Sequence, residues 1–82
     1  MKRVEWTETA LKGLASIDET NARRIKQAVD RFAQTTAGDV KKLQGIEPPE
    51  YRLRVGDYRV RFEQDEETIR ILRVRNRKEA SR

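Results

Sequence analysis

Between Arg52 and Arg61, arginine and apolar residues alternate strictly on both sides of the pair Gly56-Asp57. No other feature constrains the chain as much. Period-two alternation that stops at a Gly-Asp pair is the pattern of two half-buried strands joined by a two-residue turn. Glycine at the first central position is the type II′ preference. With that turn, Val55 faces Tyr58 and Leu53 faces Val60, while Arg54 stands opposite Arg59 and Arg52 opposite Arg61. Successive side chains leave a strand on opposite faces, so these four guanidinium groups share one surface. Directly opposed like charges weaken a sheet. A surface that needed only to stay wet would ordinarily mix acids among them, so the cluster points to a polyanionic partner.

The 82 residues are expected to form one domain, 1–82. Hydrophobic residues make up 35% of the chain and charged residues 40%, so the core must be thin. Trp6, Phe32, Tyr51, Tyr58 and Phe62 are expected to fill much of it, since each aromatic buries a large area. There is no cysteine and no histidine. That removes disulfides, thiolate metal sites, the commonest transition-metal ligand and the commonest general base, and no cofactor or metal is expected. The N-terminus lacks a signal peptide's apolar stretch and no apolar run approaches a membrane span, so the expected setting is the cytoplasm, with no membrane partner. The net charge is +5. Residues 67–82 carry six basic groups against Glu67 and Glu79, so most of the excess follows the arginine hairpin in the chain. A patch of that kind attracts phosphate backbones.

The remaining segments read from the N-terminus as follows. Met1 to Trp6 is expected to be a short strand with Val4 and Trp6 on one face. Thr7 or Thr9 can cap a helix carrying Ala10, Leu11, Leu14 and Ala15, and Asp18 or Thr20 can cap a second with Ala22, Ile25, Ala28, Val29, Phe32 and Ala33. Trp6, Leu11, Ile25, Val29 and Phe32 are expected in the core. The second helix should end near Thr36-Ala37-Gly38, with Gly38 just past its end. Asp39 to Glu50, holding the Pro48-Pro49 pair, reads as a connector. Strands are expected near 51–55, 58–64 and 67–74. A turn centred on Asp65-Glu66 would set Ile69 beside Phe62 and Ile71 beside Val60, leaving Arg70 and Leu72 on the arginine face. The fold class is α+β in the order β-α-α-β-β-β, two helices packed on one face of a mainly antiparallel sheet.

Three stretches taken in order resemble the RelE/ParE superfamily of toxins from type II toxin–antitoxin systems, closer to the RelE branch. They are Lys42-Leu43-Gln44-Gly45, the hairpin from Tyr51 to Phe62, and the terminal segment from Ile71 to Arg82. The resemblance implies a ribosome-dependent endoribonuclease, an mRNA interferase that cuts mRNA in the decoding site, with ribosome, mRNA and a cognate antitoxin as partners and a hetero-oligomer with the antitoxin. The family's catalytic basic residues match Arg52, Arg54, Arg59 and Arg77. Its C-terminal tyrosine falls at Ser81, which can neither stack on a base nor act as a phenolic acid or base.

Lys41, Lys42, Arg61, Arg75, Lys78 and Arg82 are further candidates to bind RNA. Proton transfer has several candidates in a chain without histidine: Lys41, Lys42, Tyr51, Tyr58, Glu79 or a ribosomal group. Two other functions are weighed against the first: a ParE-like toxin that binds DNA gyrase without cutting RNA, and a catalytically weakened member that only binds its antitoxin.

Overall fold

A computed structural model of the chain describes residues 1–76. The elements are β1 (Arg3–Trp6), α1 (Glu8–Ala15), α2 (Glu19–Thr35), β2 (Asp39–Lys42), β3 (Tyr51–Val55), β4 (Tyr58–Gln64) and β5 (Thr68–Asn76). They form one five-stranded sheet in the order β1-β5-β4-β3-β2. β1 runs parallel to β5, and every other pairing is antiparallel. The expected two-helix α+β architecture is present, with one strand more than expected. That strand is β2, in the segment read as a connector.

Each helix starts where a short polar side chain can take up an orphan backbone donor. Thr7, not Thr9, caps α1: its hydroxyl accepts from the Ala10 N–H at 3.2 Å. Asp18 caps α2, its carboxylate accepting from the Asn21 N–H at 3.1 Å. At the far end of α2 the left-handed residue is Thr36, with φ 59°, and its N–H donates to the Phe32 carbonyl. Gly38 therefore does not close the helix as expected. It lies where the chain passes the sheet, and a Cβ there would meet Leu53 Cδ1 at 3.0 Å.

Both helices cover the same face of the sheet. Beneath them lie Leu53, Val60, Phe62, Ile69, Ile71 and Val74, packed against Ala10 and Leu14 of α1 and Ile25, Val29, Phe32 and Ala33 of α2. No polar or charged side chain among the described residues is buried. Phe62 is central: its ring lies 5.4 Å from Phe32 and 5.5 Å from Tyr51, the latter nearly parallel. Leu11 is 50% exposed, contrary to expectation. α1 meets the sheet along β5 through Ala10, Gly13 and Leu14, which leaves Leu11 at the rim of its apolar stripe.

The approach of α1 to β5 is close. A Cβ on Gly13 would sit 2.9 Å from the Val74 carbonyl oxygen, and that backbone cannot yield as a side chain can. Alanine's better helix propensity returns about 1 kcal/mol at most. Overpacking costs about 1–3 kcal/mol. Gly13→Ala is therefore expected to lower the urea midpoint with an unchanged slope.

The β4–β5 turn is centred on Glu66-Glu67, two residues' worth of register away from the expected placement. Asp65 sets it by accepting the Glu67 and Thr68 N–H groups, each at 2.8 Å. Ile69 consequently faces Gln64, and Ile71 faces Phe62. The same two hydrogen bonds, Glu67's first, hold the Asp65 carboxyl below its ordinary pKa. At Asp18, the Asn21 side-chain amide at 2.8 Å and then the Asn21 N–H do likewise.

A carboxyl whose folded pKa is depressed adds stability above the unfolded value and loses it as pH falls through the folded one. The stability difference between wild type and Asp65→Ala should thus be present at neutral pH. It should fade as pH drops below the ordinary carboxylate range, as followed by thermal unfolding.

Candidate nucleic-acid interface

The face of the sheet away from the helices carries the arginines. β3 and β4 pair as the alternation predicts: Arg52 with Arg61, Leu53 with Val60, Arg54 with Arg59, Val55 with Tyr58. Gly56 takes φ 57° while Asp57 keeps a negative φ, the combination that separates a type II′ turn from type I′.

β2 and β5 widen this surface on both sides. Lys41 faces Arg52 and Asp39 faces Arg54. Across β4–β5, Arg59 faces Arg75 and Arg61 faces Arg73. Two rows result, perpendicular to the strands: Asp39, Arg54, Arg59, Arg75, and beside it Lys41, Arg52, Arg61, Arg73. Neighbouring positions within a row are about 5 Å apart at the backbone, and the rows are about 7 Å apart.

A third row differs in character. There Arg70 stands between Glu63 and Glu5, and Arg3 pairs with Glu5 at 3.6 Å. One half of the open face is therefore charge-balanced and the other strongly basic. In the basic rows the single ion pair among the described residues joins Arg61 to Glu50, at 3.8 Å. Two unit charges 4 Å apart in water repel by about 1 kcal/mol. Stacking four such opposed arginine pairs therefore costs stability, and a polyanion laid across them would offset that cost.

Around the Val55 end of β3 the basic face meets a groove of about 580 Å³ between the sheet and α2. Arg24, Arg31 and Arg54 line it together with Asp39, Ala28, Leu53 and Val55, which gives it an apolar floor and a rim with three cations against one acid. Among the described residues no helix is long and apolar enough to cross a membrane.

A family model for the ParE toxin of type II toxin–antitoxin systems, parDE, matches residues 4–81. The chain belongs to this toxin family. Solved structures agree with the assignment. The RelE–RelB complex of the archaeon Pyrococcus horikoshii matches at 30% identity and TM-score 0.77, over 93% of this chain and 94% of that one. The RelB–RelE antitoxin–toxin complex of Methanococcus jannaschii matches at 28% and 0.77, over 94% of each chain. The RelBE2 toxin–antitoxin complex of Mycobacterium tuberculosis matches at 30% and 0.64, over 93% and 98%. A search of curated proteins gave no match.

Within the toxin, the sequence-derived site residues separate into three groups. Arg52, Arg54, Arg59, Arg61, Arg75 and Lys41 lie together on the open face. Lys42 does not: it pairs with Tyr51, whose ring stacks on Phe62, so Lys42 belongs to the helix side of the sheet. Tyr51 and Tyr58 lie on that side too, packed against the core, which separates them from the arginines. Arg77, Lys78, Glu79, Ser81 and Arg82 lie outside the described residues.

Arg73 was missed. Unbroken alternation from Ile69 and Ile71 sends it to the buried side, but Phe62 pairs with Ile71 and Arg61 with Arg73, so Leu72 is an extra residue in β5. This bulge reverses the faces beyond it, burying Val74 and exposing Arg73 and Arg75. The signal was available in the sequence, because Ile69, Ile71 and Val74 are spaced by two and then by three.

Proposed function

We propose that this toxin is an endoribonuclease that cuts mRNA held in the decoding site of the ribosome. The observation that carries the reading is the pair of arginine rows on the uncovered face of the sheet, with Arg59 in the central strand between Arg54 and Arg75. RNA can cleave itself when the 2′-oxygen attacks the adjacent phosphorus. The 2′-O–P bond forms, the P–O5′ bond breaks, the 2′ proton leaves, and the departing 5′-oxygen takes one up. The products are a 2′,3′-cyclic phosphate and a 5′-hydroxyl.

Arginine suits the middle of this reaction. Its planar fork grips two phosphate oxygens and stays charged as the phosphorane gains negative charge. In this reading Arg52, Arg54 and Arg59 hold the scissile phosphate and stabilise the transition state, with Arg77 joining them by family likeness. Lys41 and Arg75 grip the flanking backbone. Lys41 is the one residue among the described proton-transfer candidates that shares the arginine face. Ser81 stands at the family's tyrosine position, so Ser81→Tyr bears on how much activity this chain retains.

The partner of the free toxin is its cognate antitoxin. An acidic, amphipathic antitoxin segment fits the groove beside α2, its apolar side on Ala28, Leu53 and Val55 and its carboxylates on Arg24, Arg31 and Arg54. The match to a ParE family model favours a second reading, a toxin that binds DNA gyrase and leaves RNA whole.

A translating extract separates the two. With the first reading, primer extension finds mRNA ends inside ribosomal decoding sites, and they vanish with Arg59→Ala. Intact mRNA together with blocked DNA supercoiling would replace it with the second.

A further inference from the structure

The Leu72 bulge does more than interrupt a ladder. If β5 paired with β4 in unbroken register, Arg73 and Arg75 would turn toward the helices and the open face would lose a quarter of its width. The extra residue lets Val74 drop into the core at 6% exposure and turns both arginines outward. The bulge leaves Leu72 without a partner in β4, next to Ile71, whose carbonyl points to the β1 side of the strand.

Thr7 supplies donors to both carbonyls. Its hydroxyl donates to the Ile71 carbonyl at 2.7 Å, with the Leu72 carbonyl at 3.2 Å, and its N–H donates to the Ile71 carbonyl at 3.1 Å. The same hydroxyl oxygen caps α1. One residue thus joins the start of α1 to the bulge.

Arg73 itself faces Arg61 and stands in the row of Lys41 and Arg52. It is exposed, and among the described residues no carboxylate lies within ion-pairing distance of it. The bulge that buries Val74 therefore also places a cation beside other cations, and Arg73 itself adds repulsion there.

We propose that Arg73 is a phosphate-binding residue of this surface, and that Thr7 is the positioning residue that keeps it there by holding the bulge. The proposal rests on the reading that the open face meets RNA.

The test is binding of a single-stranded oligouridylate to the full-length toxin, by fluorescence anisotropy across a series of salt concentrations. Each phosphate contact to a single strand contributes about 0.7 to the slope of log K against log salt. Arg73→Ala should reduce the slope by about one such increment, and Arg73→Lys should retain it. Thr7→Val keeps the shape but cannot donate, so it should lose at least as much slope as Arg73→Ala. Thr7→Ser should behave as wild type. Adding Arg73→Ala to Thr7→Val should remove less slope than it does alone.

Circular dichroism checks folding. If Thr7→Val does not fold, Thr7→Asp is read instead, because aspartate caps a helix yet has no proton to give the carbonyls. A wild-type slope in Arg73→Ala overturns the binding role. A wild-type slope in the folded Thr7 variant overturns the positioning role. A toxin that cuts mRNA but shows no slope change in Arg73→Ala refutes this inference alone. One that cuts nothing yet loses slope refutes the ribonuclease reading alone.

Discussion

Arg59→Ala is expected to slow mRNA cleavage by about 10²–10³-fold, the usual cost of removing one donor aimed at developing charge. The expectation comes from position. Arg59 lies on the middle strand of the five, opposed by Arg54 on one side and Arg75 on the other. A phosphate seated there is within reach of three guanidinium groups, and Arg59 is common to both opposed pairs. Removing an outer arginine leaves two still directly opposed on neighbouring strands, whereas removing Arg59 leaves Arg54 and Arg75 two strands apart with none opposed in that row.

Single-turnover cleavage on programmed ribosomes is the measurement. Arg59→Lys should recover part of the loss, because an ammonium keeps the charge and forfeits the bidentate fork. The fold should be unaffected, since the side chain lies on the uncovered face and relieves rather than adds repulsion when it is removed. A folded Arg59→Ala toxin cutting at the wild-type rate would show that the row does not stabilise the reaction.

Phe62→Ala is expected to destabilise the protein by about 3–5 kcal/mol, the range for truncating a large buried aromatic. The side chain is 1% exposed and lies in the central strand. Its ring packs against both Phe32 near the end of α2 and Tyr51 at the start of β3. Total stability at roughly 0.05–0.15 kcal/mol per residue is of the same order for a chain this small, so the variant should be largely unfolded near physiological temperature. Thermal unfolding by circular dichroism checks this. A loss under about 1 kcal/mol would mean that the site collapses around the gap far more than such cores do.

The two substitutions sit on opposite faces of the same strand and should separate cleanly, one costing activity and the other stability.

The hairpin from Tyr51 to Phe62 was legible because both faces carried a signal. The apolar positions specified which side is buried, and a slip of one residue would have put arginines in the core. Capping chemistry narrowed the helix starts to Thr7 or Thr9 and to Asp18 or Thr20, of which Thr7 and Asp18 are the caps.

β2 was not legible, and the reason is physical. Asp39-Val40-Lys41-Lys42 holds one apolar residue among charges, which is how an exposed edge strand is composed, and its strand character comes from pairing with β3. The helix end misled because glycine is the usual left-handed residue, whereas here Thr36 takes that conformation.

The β4–β5 register depended on Asp65 accepting two backbone donors, a local hydrogen-bond choice that several polar residues in a row leave open. On the interface itself, the arginines of β3 and β4 were placed correctly from alternation. Arg73 was lost because alternation was extended through a bulge, and Lys42 was included because its strand was not recognised.

The central claim is that this basic sheet surface carries out RNA backbone chemistry on the ribosome. The most direct measurement is the chemistry of mRNA ends after the wild-type toxin acts on programmed ribosomes. Fragments ending in 2′,3′-cyclic phosphate, with partners beginning in 5′-hydroxyl and cuts confined to the decoding site, are the predicted result. Uncut mRNA under conditions where the toxin arrests growth, or fragments bearing 5′-phosphates, would contradict it.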